Sequence, residues 1–348
     1  MGSDALLFAG SMAVDHNMNS NHGDFAALWY VAPGRAELRE APLASSPAPG
    51  MVRVRALFSG ISRGTESLIF HGRVPESEFR RMRAPFQDGD FPYPVKYGYA
   101  AVGRVEQGPA ALLGHTVFSL HPHQAVYDLP ETAVVPLPAN VPPLRAVMGA
   151  NMETALNAVW DGAAMPAGRI AVIGAGVVGV LVAFLTGRLP GAEVTLVDID
   201  PTRAALAARL GVAFATPSQA PRDCDLVFHA SGAPGGLDTA LAAAGDEATV
   251  VEMSWYGEGH VPVALGGAFH SRRLRLISSQ VGKIANSQRS RWDYRRRLSA
   301  ALALLSDDRL DALLEPACPF ADLPARLPAI LASGSGILCQ PIAYPVQP

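Results

Sequence analysis

A chain of 348 residues, 49% hydrophobic and 17% charged, is long enough to build two globular domains with proper cores. A formal net charge of −3 gives no case for nucleic acid or an anionic membrane as partner. The longest apolar runs are broken well before the roughly 18 residues a membrane span requires, so none is expected. Cys224, Cys318 and Cys339 are scattered, with no Cys-x-x-Cys pair. That pattern fits a reducing cytoplasm and gives no sign of a sulfur-rich zinc site. Only Lys96 and Lys283 among the basic side chains are lysine, which draws notice to their compact, titratable amines.

Residues 1–24 are polar, rich in His and Asn, and lack a basic n-region, so they read as a disordered or added lead rather than a signal peptide. Short β-like runs follow at 26–30 and 52–58, then a loop at 59–67. Residues 71–93 are charged and aromatic, and His71, Arg73, Arg80, Arg81, Arg83, Phe86, Phe91 and Tyr93 are expected to form a substrate rim. With further runs at 97–105, 116–120 and 133–138, this front region predicts an all-β domain with irregular loops.

From Leu144 the pattern turns helical and then alternates. Strands are predicted at 169–174, 193–199, 225–230 and 248–254, and helices at 178–189, 202–210 and 236–243. That βαβ rhythm predicts an α/β fold with a doubly wound parallel sheet of the Rossmann kind. A last apolar run at 274–278, a basic helix at about 287–305 and a β-type run at 336–339 close the chain. The expected division is a β-rich domain of 25–148 and 283–348 around a nucleotide-binding domain of 149–282.

Within that central domain, Gly174, Gly176 and Gly179 form a Gly-x-Gly-x-x-Gly loop leaving one strand and opening a helix. The first glycine permits the tight turn, the second lets backbone approach a pyrophosphate, and the third allows close helix–strand packing. Val177 and Val178 offer N–H groups at the helix start. Asp198 closes the next β-type run 19 residues after the last glycine, beside Ile199, and is placed to accept hydrogen bonds from an adenosine ribose. Its carboxylate would repel a 2′-phosphate, so the cofactor is read as NAD rather than NADP. Arg203 could soften this, but Asp200-Pro201 looks more like a helix start than a phosphate pocket. Ala230, Ser231 and Gly232 end one later strand and Met253 and Ser254 the next, on the edge where a dinucleotide lies.

A β-rich front, a mid-chain dinucleotide fingerprint and a returning tail resemble the medium-chain dehydrogenase/reductase superfamily, over residues 25–348. Gly-Ile-Ser-Arg-Gly-Thr-Glu (60–66), Gly-Tyr-Ala-Ala-Val-Gly (98–103) and Ala230-Ser231-Gly232 are closest to its bacteriochlorophyllide dehydrogenase-like branch. The resemblance implies a GroES-like catalytic domain, Thr154 packing on the nicotinamide, and a homodimer. The positions that hold catalytic zinc in related enzymes are here Ser62, Tyr99 and Ala150, and Ala100 stands where a glutamate is expected. Neutral hydroxyls and a methyl group are not zinc ligands. Alternative ligands would be His121, His123, His71, Glu66 or Glu153, but Pro122 spoils regular pairing for the His-x-His, and loop histidines near the mouth or on the surface are the expectation.

The chain is therefore expected to be a zinc-independent, NAD(H)-dependent oxidoreductase interconverting an alcohol and a ketone or aldehyde, acting on a small-molecule substrate. Tyr99 stands as proton donor, Ser62 and Thr65 as neighbouring hydroxyls, and Lys96 as a group that lowers the Tyr99 pKa or acts directly. Against these roles stand a packed aromatic, turn residues bonding their own backbone, and a surface charge. Ser279–Lys283 follows the last strand and could close over the nicotinamide or substrate. The alternatives are an NAD(P)H-dependent quinone or enoyl reductase, and a non-catalytic dinucleotide-binding protein.

Overall fold

A computed structural model describes residues 25–345; the expected lead at 1–24 lies outside them. The central sheet holds β1 (Arg169–Ile173), β2 (Glu193–Val197), β3 (Ala213–Ala215), β4 (Cys224–His229), β5 (Ala244–Glu252) and β6 (Arg275–Ser278). Its strands lie in the order β3-β2-β1-β4-β5-β6 and every pair is parallel. The helices α1 (Val177–Thr186), α2 (Arg203–Leu210) and α3 (Pro234–Ala243) connect them. Ile170, Val172, Leu196 and Phe228 face one helical layer; Ala171, Ile173, Val197 and Val227 face the other. Burial on both sides is why these strands read as continuous apolar runs.

The front region pairs into two antiparallel-dominated sheets. The larger is built on the long strand Met51–Ile61, flanked by Ala101–Gln107 and by the chain's final strand Gln340–Ala343. The smaller brings Ala26–Ala32 between Arg35–Glu40 and Val95–Lys96. Among the described residues no helix is long and apolar enough to cross a membrane.

Three sequence expectations need revision. The front region is not all β, because Arg63–Phe70 forms a helix. Glu66, one residue beyond the capping-box position, reaches back to accept the Ser62 N–H at 2.7 Å. The tail also divides. Helix Tyr294–Leu304 begins later than expected because Asp293 caps it, accepting from the Arg296 N–H at 2.7 Å. It packs on helix Gly149–Asp161, and Leu298, Ala301 and Leu302 share a core with the central-sheet residues Ile170, Val172 and Leu196. Residues 294–313 thus sit with the central sheet, and the chain rejoins the front sheet only at Cys318–Pro319. Lastly, the closing strand is Gln340–Ala343 rather than 336–339, since Gly336 holds a left-handed φ of 74°.

Candidate dinucleotide and catalytic site

The glycine loop lies between β1 and α1. Gly174 has φ 105°, and a Cβ there would stand 2.6 Å from the Ser231 backbone. A Cβ on Gly179 would meet the Gly174 carbonyl at 1.9 Å. Gly176 is different: it is exposed, and a Cβ there would meet nothing within 4 Å. Gly176 is also the N-cap of α1 and supplies no side-chain cap, so the first N–H groups, on Val177 and Val178, face outward. Open space, bare donors and the positive end of a ten-residue helix fit a pyrophosphate.

Asp198 sits at the end of β2 with both carboxylate oxygens in use. Oδ2 accepts the Ala175 N–H at 2.6 Å and Oδ1 the Asp200 N–H at 2.9 Å. The carboxylate thereby ties the strand end to the glycine loop, and each oxygen keeps lone-pair capacity for a ribose hydroxyl. Ile199 beside it is 84% exposed, an apolar surface at the same rim. Arg203 turns away: its Nε pairs with Asp200 at 3.3 Å and its Nη2 donates to the Gly336 carbonyl at 2.7 Å.

The ends of β4 and β5 are cross-linked. The Ala230 N–H bonds to Ile173, the Met253 N–H bonds to His229, and the Gly232 N–H donates to Ser254 Oγ at 3.0 Å. Beneath them lies a pair that the sequence reading passed over. His229 is fully buried, its Nδ1 2.8 Å from Glu252 Oε2 and its Nε2 2.7 Å from Ser231 Oγ. His229 and Glu252 are register partners on adjacent parallel strands, so their side chains share one face. The alternation was visible in each strand, but nothing in sequence paired one strand with the other.

In the front domain, Tyr99, Ser62 and Thr65 converge. The Tyr99 hydroxyl is 2.5 Å from Ser62 Oγ and 3.0 Å from Thr65 Oγ1. Burial pushes the Tyr99 pKa up and nearby Glu66 adds to it; its hydrogen bonds with Ser62 and Thr65, in which the phenol donates, only partly offset them. At neutral pH Tyr99 is therefore a neutral phenol with a proton to give. Thr154, on helix Gly149–Asp161, donates its hydroxyl to the Ala150 carbonyl at 3.0 Å and leaves its methyl free for packing.

Lys96 does not join the hydroxyls, and it is not a surface charge. It is buried, donating to Gln124 Oε1 at 2.8 Å and pairing with Asp88 at 2.6 Å. The histidines also depart from the sequence reading. His121 and His123 are buried, not on the surface. His121 stacks on Tyr127 with ring centroids 3.8 Å apart, and burial lowers its pKa to about 3. His123 Nε2 is 3.0 Å from Glu66 Oε2, which also accepts from the Tyr30 hydroxyl at 2.6 Å. On its far side His123 Nδ1 meets Ser59 Oγ at 2.7 Å, and Ser59 meets the Tyr344 hydroxyl at 2.9 Å. Glu66 thus holds the Ser62 backbone from below while Tyr99 takes its side chain from above.

The loop after β6 is anchored rather than free. Buried Arg297 pairs with Glu153 at 3.0 Å, donates to Asn157 Oδ1 at 2.6 Å, and also bonds the carbonyls of Val281 and Lys283. Of the 71–93 segment, Phe91 belongs to the front core and Tyr93 donates to the Ile69 carbonyl at 2.7 Å. Arg73, Arg80, Arg81, Arg83 and Phe86 remain exposed. Loop 254–259 reaches this segment: Trp255 packs on the front core, and a Cβ on Gly257 would come 2.9 Å from the Arg73 carbonyl.

No family model matches the sequence, and no curated protein matches it. Solved structures do match in shape. A short chain alcohol dehydrogenase from Escherichia coli CFT073, complexed with NADH, aligns at TM-score 0.73 and 18% identity, covering 92% of this chain and 99% of its own. The alcohol dehydrogenase of Thermus sp. ATN1 aligns at TM-score 0.71 and 19% identity, with 92% and 99% covered. Galactitol-1-phosphate dehydrogenase from Escherichia coli gives 0.73 and 16%, with 92% and 100% covered. The chain has the fold of the alcohol dehydrogenases.

That fold is a Rossmann domain joined to a GroES-like domain. Two other proteins that share it, from Sinorhizobium meliloti 1021 and Clostridium scindens, are described as zinc-binding dehydrogenases. Ser62 and Tyr99 are bonded to each other, Ala150 offers a methyl group, Glu153 is committed to Arg297, and Glu66 to His123. Among the described residues no three His, Cys, Asp or Glu side chains converge as a metal site. These residues do not fit a zinc ion.

Proposed function

We propose that this chain is a nicotinamide-dinucleotide-dependent oxidoreductase of the medium-chain dehydrogenase/reductase superfamily, interconverting an alcohol and a ketone or aldehyde without zinc. The observation that carries this reading is the convergence of Tyr99, Ser62 and Thr65 in a fold whose strand ends carry a dinucleotide cradle. When bound, the reduced dinucleotide supplies the hydride that the carbonyl carbon accepts. The chain's own residues then supply polarisation and a proton. The Tyr99 hydroxyl, kept neutral by burial, hydrogen-bonds the carbonyl oxygen and gives up its proton as negative charge develops there. Ser62 and Thr65, 2.5 and 3.0 Å away, donate to the phenolate that results. In the alcohol-oxidising direction the same groups run in reverse. Asp198 at the ribose end supports NAD over NADP, because a carboxylate disfavours a 2′-phosphate and Arg203 is turned toward Asp200 and Gly336.

The test is Tyr99→Phe, which removes the proton and keeps the ring. Carbonyl reduction should fall by about 10²–10⁴-fold, with NADH affinity unchanged. Full activity in that variant would remove Tyr99 from the mechanism. Turnover confined to quinones or enoates would instead favour the reductase reading. Tight NAD(H) binding with no turnover on any of these substrates would point to a binding protein.

A further inference from the structure

The pair beneath the ends of β4 and β5 has a chemistry of its own. Glu252 Oε1 accepts the Ser254 N–H at 2.7 Å, and Oε2 accepts from His229 at 2.8 Å and from the Tyr256 hydroxyl at 3.2 Å. Burial raises its pKa, but the bonds from His229 and Ser254 outweigh this, and the carboxyl sits below its ordinary value. Glu252 is the member of the pair that reaches solvent, with fully buried His229 behind it, so its carboxylate is the charge a bound group meets first. Space for the pair is made by Gly236, the third residue of α3, where a Cβ would stand 2.1 Å from Ser231 Oγ and 2.6 Å from His229 Nε2. Glu252 is not sealed in: its side chain is 16% exposed, and Ser231 above the pair is exposed.

The position of the charge in the fold gives it a use. A doubly wound sheet binds the two halves of a dinucleotide on either side of its switch point. Asp198 at the end of β2 marks the adenosine half, so the nicotinamide half lies toward β4 and β5, where Glu252 stands. Oxidised and reduced dinucleotides share the same phosphates and riboses and differ by one positive charge on the nicotinamide ring. We propose that Glu252, positioned by His229, Ser254 and Tyr256, sets the redox-state preference of the cofactor site by favouring the cationic, oxidised nicotinamide over the neutral, reduced one. This inference rests on the dinucleotide reading given above.

The measurement is the pair of dissociation constants for NAD⁺ and NADH, by calorimetry and by quenching of protein fluorescence, with no substrate present. Wild type is compared with Glu252→Gln, Glu252→Ala and Glu252→Asp, each checked for a cooperative melt. The two neutral variants should weaken NAD⁺ relative to NADH by about three- to tenfold, the size of a screened charge contact. Glu252→Asp, which keeps the charge, should keep the wild-type ratio. Two neutral variants guard against one of them failing to fold. Both cofactors binding with an unaltered ratio in whichever neutral variant folds overturns this inference alone. Failure of wild type to bind either form overturns the dinucleotide reading and this inference with it.

Discussion

Among the described residues there are two carboxylate–imidazole pairs, one in each domain, and they differ in what surrounds them. Glu66 and His123 are fully sealed, with Tyr30, Ser59 and the Ser62 N–H using their remaining capacity and Tyr344 bonded behind Ser59. Glu252 and His229 share similar geometry, but the carboxylate reaches the edge of the strands and its neighbours are half-buried Ser254 and Tyr256, with Ser231 exposed beside His229. A sealed pair can only hold shape, because no ligand reaches it and its desolvation is already compensated. An open pair can sense a ligand's charge. The sealed pair therefore fixes the hydroxyl cluster in place, and the open pair acts on the cofactor.

The largest expected effect tests the sealed pair. Glu66→Ala strips three donors of their acceptor and should destabilise the fold by about 3–5 kcal/mol, measured by urea unfolding. Glu252→Ala, at the solvent-reached edge, should cost about 1–2 kcal/mol. Equal costs would erase the distinction between the two pairs.

Acid should separate the front domain's other buried imidazole from both. Burial lowers the His121 pKa to about 3, below its unfolded value. The folded state therefore refuses a proton that the unfolded chain accepts. Stability from this source is complete above about pH 6.5 and is lost as pH falls toward 3, amounting to roughly 3–5 kcal/mol. His121→Phe, stacked on Tyr127 in its place, should flatten that part of the pH–stability profile. An unchanged acid limb would show that the loss comes from carboxylates instead.

The smallest effect lies at the ribose end. Asp198→Asn removes the negative charge while keeping an acceptor for the Ala175 N–H. It should narrow the preference for NAD over NADP by about tenfold, read as the ratio of kcat/KM values. A wild type that already prefers NADP would contradict the role given to Asp198.

What the sequence revealed follows from how local each constraint is. The glycine loop was legible because Gly174, Gly176 and Gly179 answer to backbone geometry within six residues. The convergence of Tyr99 with Ser62 and Thr65 was expected only through family resemblance, since 34–37 residues separate them. The helix at Arg63–Phe70 carries no capping-box signature, since Glu66 stands four residues after Ser62 rather than three and Gly64 lowers its helix propensity. Neither carboxylate–imidazole pair was readable. Glu66 and His123 lie 57 residues apart, and His229 meets Glu252 only through parallel strand register. Lys96 read as a surface charge because Asp88 and Gln124 reach it across sheet pairing and a turn.

The proposed chemistry gives Tyr99, Ser62 and Thr65 a role that needs no metal. Its most direct test is metal analysis of the purified protein together with NADH-dependent carbonyl reduction before and after exhaustive chelation. The account predicts far less than one zinc per chain and an unchanged rate. Stoichiometric zinc whose removal abolishes turnover would contradict it.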